Sequence, residues 1–339
     1  MQFEKQESFQ RLVASDMAFA ADVSESFLQI PESVSRPYME FLEFQMNYRR
    51  QAQPWIPEVE LKSSCEDEIK AIEILFPGFG DETMIRGLAS AFSFLSDIDD
   101  LIEAIPLPQA GQCVDRCVAI CEGRKFQADV GLESPSGKAQ LMTTVICDLI
   151  LSLFPHADAA AINHDIGDMI AGQLEELKMK ESGVAVADYQ TYMEIRWRPF
   201  GLMPLLTILE RFYLDGKPAS DDLVLMRHQV VLAGLVQNDV GGIEKDIKQG
   251  NVSTTIKVLA KLHGHDMRSS RDVIEKQQVL RQTEAVHDAL IQDIITTYLR
   301  IQNQSKSAQE IQLSRRLLLV SNTQLKWTLS SPRYDIDRF

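Results

Sequence analysis

From Glu66 to the C-terminus, apolar residues recur at three- and four-residue intervals with few interruptions. The segments IKAIEILF, MIRGLASAFSFLSDIDDLIEAI and KAQLMTTVICDLILSLF carry the pattern, as do AAINHDIGDMIAGQLEELKMK, DYQTYMEIRWRPFGLMPLLTILERFY and LVLMRHQVVLAGLVQNDVGGIEKDIKQG, and a long run covers 270–304. That spacing paints one apolar stripe along each helix and can be buried only against other helices, while strand-like alternation is scarce. The expected fold is therefore all-α, a bundle of roughly ten helices. A chain of 339 residues could bury one large core or two ordinary ones. No internal repeat and no long linker divides it, so a single domain is expected over residues 61–339. Residues 1–60, with Pro31, Pro37, Pro54, Pro57 and the stretch QAQPWIP, are expected to form an arm packed on that body.

Charge narrows the classes of function. With 34 basic against 49 acidic residues the net charge is -15, which argues against a nucleic-acid surface or an anionic membrane and agrees with a taste for cations. The start MQFEKQESFQRL lacks the apolar core of a signal peptide and no uninterrupted apolar run reaches membrane-spanning length, so a cytoplasmic protein is expected. Cys113, Cys117 and Cys121 fall at i, i+4 and i+8, one helical stripe rather than a metal knuckle, and read as reduced core thiols.

Four places break the apolar pattern. DIDDLIE ends an apolar helix, and Asp99, Asp100 and Glu103 stand three and four residues apart, on one helical face where oxygen ligands could hold a hard divalent cation. An acidic helix end can equally be a solvated surface. Asn238, Gly242 and Asp246 fall at i, i+4 and i+8 after the run VVLAGLV, with Lys245 beside the last; they read either as half of a metal site or as an exposed helix end. In IRWRPFG, Pro199 and Gly201 must break a helix that carries Arg196 and Arg198. Near the C-terminus Arg333 and Tyr334 follow Trp327 and offer donors that suit phosphate oxygens, or else make an ordinary salt-bridged tail.

Together these motifs resemble class I terpene synthases of the bacterial and fungal single-domain type, from about Phe76 to the C-terminus. The aspartate-rich pattern DDxx(D/E) matches Asp99, Asp100 and Glu103; (N/D)Dxx(S/T/G)xxx(E/D) matches Asn238, Asp239, Gly242 and Asp246; the terminal RY pair matches Arg333 and Tyr334. The separations of 139 residues from Asp99 to Asn238 and 95 from Asn238 to Arg333 are those of the family. The resemblance implies a helical bundle around an apolar cavity, with three Mg2+ ions (Mn2+ as an alternative) bound through Asp99, Asp100, Glu103, Asn238, Asp246 and a water at Gly242. It implies that Arg196, Lys245, Arg333 and Tyr334 grip the diphosphate, Arg196 acting as its sensor beside Phe200 and Gly201. Phe92, Phe94 and Trp327, with Phe76 and Trp197 as further candidates, would line an aromatic cavity, which stabilises a carbocation and keeps water from it.

Three departures stand out. Gly242 replaces the usual Ser or Thr, Asp246 replaces Glu, and Asp97 occupies a usually apolar position, which leaves open whether Asp97 or Asp99 leads the first motif. The DxDD string of residues 97–100 also spells the acid of class II cyclases, which need a different scaffold. The implied reaction is the ionisation of an allylic isoprenoid diphosphate and cyclisation of the cation. Farnesyl diphosphate is favoured over geranylgeranyl diphosphate, with a sesquiterpene as product and a monomer or homodimer as the working form. A chain-elongating prenyl diphosphate synthase is the nearest competing enzyme, disfavoured by the Asn-led second motif, and a helical scaffold protein is the non-enzymatic alternative. The six histidines, including His263 and His265, read as structural.

Overall fold

A computed structural model describes residues 38–124, 131–182, 188–242, 255–262, 273–305 and 307–330. Among them there are helices and no strand, as the periodicity requires: α1 Tyr38–Ala52, α2 Glu58–Leu75, α3 Glu82–Glu103, α4 Leu107–Cys121, α5 Pro135–Leu153, α6 His156–Ser182, α7 Tyr189–Arg196, α8 Leu202–Leu214, α9 Asp221–Gly241, α10 Thr255–Leu262, α11 Val273–Gln304 and α12 Ala308–Ser330. The twelve exceed the expected ten because α7 and α10 have eight residues each, too short for two full cycles of an apolar pattern to declare themselves. Residues 1–37 of the expected arm, with Lys245, Asp246, His263, His265, Arg333 and Tyr334, lie outside the described residues.

The helices fall into two compact units, one of residues 31–182 and 198–219, the other holding 183–197 and 220–339. In the first, α3 is the central helix and touches α1, α2, α5, α6 and α8. It starts where the Asp81 carboxylate accepts from the Met84 N–H at 2.8 Å, which satisfies one of the donors every helix leaves open at its start. Met84, Leu88, Ala91, Phe94, Ile98 and Ile102, spaced by three or four, then bury its length. The described part of the arm is α1, whose Phe41, Leu42, Tyr48 and Ala52 are buried and which touches α2, α3 and α5. All five cysteines are buried and free, as expected of the stripe Cys113, Cys117 and Cys121.

In the second unit α9 has the central place, against α10, α11 and α12. Its opening turn bears Asp221 and Asp222, which suit the positive end of the helix dipole. From Val230 to Gly242 every residue except Leu232 and Asn238 is buried.

Candidate active site

Both central helices end in residues that the end of a helix does not favour. The last turn of a helix presents unpaired carbonyls and attracts cations, and acids there raise the energy. Yet α3 closes on Asp99, Asp100 and Glu103 with no basic residue in its last turn, and α9 closes on Asn238 and Asp239, again without one. At the end of α3 a bound cation would relieve that repulsion, whereas Asp239 of α9 has partners within the chain. The donors are all oxygens, the set a hard divalent ion takes.

On α3 Phe92, Leu95, Ser96 and Asp99 are half-buried, and Asp100 and Glu103 are exposed. Phe92, Leu95, Ser96 and Asp99 stand at i, i+3, i+4 and i+7, one stripe that passes from aromatic to acidic along the helix. Leu95 meets the break after α7: a Cβ on Gly201 would sit 3.6 Å from that of Leu95. Gly201 has φ 81°, the left-handed conformation glycine adopts without strain, and it begins α8. The helix break expected from Pro199 and Gly201 is therefore present, with Phe200 half-buried beside it. Phe94 and Phe76 are wholly enclosed in the core, whereas Trp327 on α12 and Trp197 keep part of their surface. Trp197 stands edge-on to His228, 5.2 Å between ring centres.

The four neighbouring carboxylates of α3 have different surroundings. Asp97 accepts from Arg49 Nη1 of α1 at 2.7 Å and from Nε2 of Gln53, the residue after α1, at 2.6 Å. Its carboxylate belongs to the joint between α3 and the end of α1, which sets it apart from Asp99 and Asp100. The Asp100 side chain is exposed. Glu103 accepts from Lys180 Nζ of α6 at 2.5 Å, a lysine it shares with Glu176 at 3.0 Å. Among the described residues no three Asp, Glu, His or Cys side chains form a ready-made cage.

The Arg49 joint is buried. Its guanidinium, 4% exposed, reaches Glu68 at 2.5 Å and Ser93 Oγ at 2.5 Å besides Asp97, and Gln45 donates to Glu68 at 2.7 Å. Burial pushes the Glu68 carboxyl up to about 7, against the lowering pull of Arg49 and the Gln45 hydrogen bond. Burial also raises Asp97, again opposed first by Arg49. Because the folded value of Glu68 lies above the ordinary 4.5 of an unfolded chain, folding takes up a proton between those limits, and the contribution of Glu68 to stability falls as pH rises from about 4.5 to about 7. Glu68→Gln is therefore expected to gain stability relative to the wild type as pH rises through this window. Chemical denaturation at about pH 5 and about pH 8 measures it, and a constant difference contradicts it.

The two arginines at the break have separate tasks. Arg198 straddles Gly172 of α6, where a Cβ would come within 2.8 Å of the Arg198 Cβ and 2.9 Å of Pro199. It pairs with Asp168 through Nε at 3.1 Å and Nη2 at 2.5 Å, and with Glu175 through Nη1 at 2.8 Å. Those bonds commit it to packing the break onto α6. Arg196, at the end of α7, lies 3.8 Å from Asp239. Asp239 is 1% exposed and accepts from Tyr192 Oη at 2.8 Å and from the Thr255 N–H at 2.7 Å. Burial raises its carboxyl, with Arg196 the main opposing influence. Asp239 thus ties α9 to α7 and α10. Asn238 beside it is half-buried, and the N–H of Gly242 closes on its carbonyl at 2.8 Å, which puts residues 238 and 242 one turn apart on one face.

Sequence reasoning matched Asp239 to the motif without a task for it, and it missed Arg49, Glu68 and Lys180. Each is a charged residue at a buried or half-buried helical position, which is the signal that could have found them.

Helices that end in acidic and amide side chains fit what sequence comparison finds. The profile described as terpene synthase family 2, C-terminal metal binding, matches residues 91–279, more than half of the chain, and the chain belongs to that family. It is a class I terpene synthase, an enzyme that uses a prenyl diphosphate and a divalent metal. Among solved structures it is similar to linalool/nerolidol synthase from Streptomyces clavuligerus, with a TM-score of 0.64 and 15% identity over 88% of this chain and 98% of that one. It is also similar to 2-methylisoborneol synthase from Streptomyces coelicolor A3(2), in complex with Mg2+ and geranyl-S-thiolodiphosphate, with a TM-score of 0.70 and 13% identity over 91% and 95%. At such identities the likeness is one of fold, and it bears out the all-α class. No curated protein sequence matches the chain. Among the described residues no helix is long and apolar enough to cross a membrane.

Proposed function

We propose that the chain is a sesquiterpene cyclase, acting on farnesyl diphosphate and releasing a cyclic hydrocarbon or alcohol and diphosphate. The observation that supports this reading is that α3 ends in Asp99, Asp100 and Glu103 and α9 in Asn238 and Asp239, with no basic residue in the last turn of either helix. Three Mg2+ ions, or Mn2+ in their place, would neutralise the leaving diphosphate as its bond to the allylic carbon breaks. Asp99 and Asp100, with Glu103 after it leaves Lys180, serve as ligands from the first motif; Asn238 and Asp246 serve from the second, with a water at Gly242. Arg196, Lys245, Arg333 and Tyr334 donate to the diphosphate oxygens. Arg196 already stands by a buried carboxylate, which helps to hold its side chain in place.

No covalent nucleophile is needed, because an allylic cation forms once its leaving group is neutralised. The walls then have to keep water out and offer aromatic faces. Phe92, Phe200, Trp197 and Trp327, each with part of its surface accessible, suit that task better than the enclosed Phe76 and Phe94. The Asn-led second motif supports cyclisation over chain elongation. Chain length is tested by kcat/KM for geranyl, farnesyl and geranylgeranyl diphosphate with saturating Mg2+. The reading expects the highest value with farnesyl diphosphate, and a preference for the longer diphosphate would make the enzyme a diterpene cyclase.

A further inference from the structure

Asn238 stands between two buried polar neighbours. Asp239 binds toward α7 and α10. Gln237, 0% exposed, binds elsewhere: its Nε2 lies 2.8 Å from the Ser321 carbonyl of α12 and 3.0 Å from Nε2 of His287 on α11. A carbonyl can only accept, so the amide nitrogen must face Ser321. Its second hydrogen then points at His287, whose Nε2 must offer a lone pair. The ring proton is left on Nδ1, which faces Asp288 Oδ1 at 3.3 Å. Hydrogen bonds thus run outward from the Gln237 amide, to Ser321 on one side and through His287 to Asp288 on the other, with His287 0% exposed. Residues 287 and 321 lie beyond the span of the family profile.

Apolar side chains of similar size would pack this junction without any cost of desolvating an amide and an imidazole. What the polar pair adds is direction. Successive residues of a helix point about 100° apart, so locks at 237 and 239 fix the rotation of α9 from both sides of Asn238. Turning Asn238 out of line would break hydrogen bonds to α7, α10, α11 and α12 together. We propose that Gln237 and His287 are positioning residues that hold the Asn238 amide in the direction needed for metal and diphosphate. This rests on the reading of Asn238 as a ligand.

The test compares Gln237→Met, His287→Phe and His287→Gln with the wild type. Three quantities are read: Mn2+ bound in the presence of inorganic diphosphate, by electron paramagnetic resonance; the Mg2+ concentration for half-maximal turnover of farnesyl diphosphate; and the thermal melt. Q237M and H287F are expected to weaken Mn2+ binding and raise the Mg2+ requirement about tenfold or more, as loss of a ligand's support does. The KM for farnesyl diphosphate at saturating Mg2+ should change far less. H287Q, whose amide oxygen can still accept from Gln237, should restore Mn2+ binding to within about threefold. Variants that melt lower yet bind Mn2+ as the wild type does would reduce the pair to core packing and overturn the proposal. If Q237M does not fold, the contrast between H287F and H287Q decides. Asn238→Ala separates the two claims: if N238A loses Mn2+ while H287F keeps it, Asn238 is a ligand and the positioning idea fails. If N238A binds normally, both fail.

Discussion

Asn238→Ala is expected to lower turnover at least about a hundredfold, with little change in the thermal melt. The residue is half-buried in a stretch of α9 otherwise almost entirely enclosed, so its truncation opens no cavity in the core. It removes a neutral oxygen donor at a helix end whose dipole already favours a cation. The loss should appear as a higher Mg2+ requirement and a lower kcat, while circular dichroism stays that of the wild type. A variant that turns over substrate within about threefold of the wild type would remove Asn238 from the metal site.

Arg49→Met carries the largest expected cost in stability, about 3–5 kcal/mol. Arg49 is 4% exposed and is the cation between Glu68 and Asp97, and methionine leaves both carboxylates in the joint between α1, α2 and α3 without it. A melting temperature lower by on the order of 10 °C is expected. Adding Glu68→Gln should recover part of the loss, since it removes one of the two stranded charges. Equal loss in single and double variants would mean that the arginine acts through packing of its stem alone. Because Asp97 is two residues before Asp99, the same joint sets the register in which α3 presents its acidic end.

The helices and the two polar ends were legible because both depend on short-range spacing. The acids of residues 97–103 and the polar residues after VVLAGLV interrupt an apolar repeat, and Pro199 with Gly201 has to break a helix whatever surrounds it. The assignments that could not be read depend on partners far along the chain. Arg196 and Arg198 are alike in sequence and differ only because Asp168 and Glu175 of α6 take the second. Asp97 and Asp99 are likewise ambiguous until Arg49 and Gln53, more than forty residues earlier, claim Asp97. Glu103 matches the motif, but its partner Lys180 is 77 residues away. Gln237, apolar in pattern and polar in kind, meets His287 fifty residues on, and no local rule reports such a pair.

The account turns on metal-dependent cyclisation, and one assay addresses it: purified protein incubated with farnesyl diphosphate and Mg2+, with and without EDTA, and the organic extract analysed by gas chromatography and mass spectrometry. The account predicts a cyclic hydrocarbon or alcohol with Mg2+ and none with EDTA. A product that persists in EDTA, or a longer diphosphate formed only when isopentenyl diphosphate is added, would contradict it.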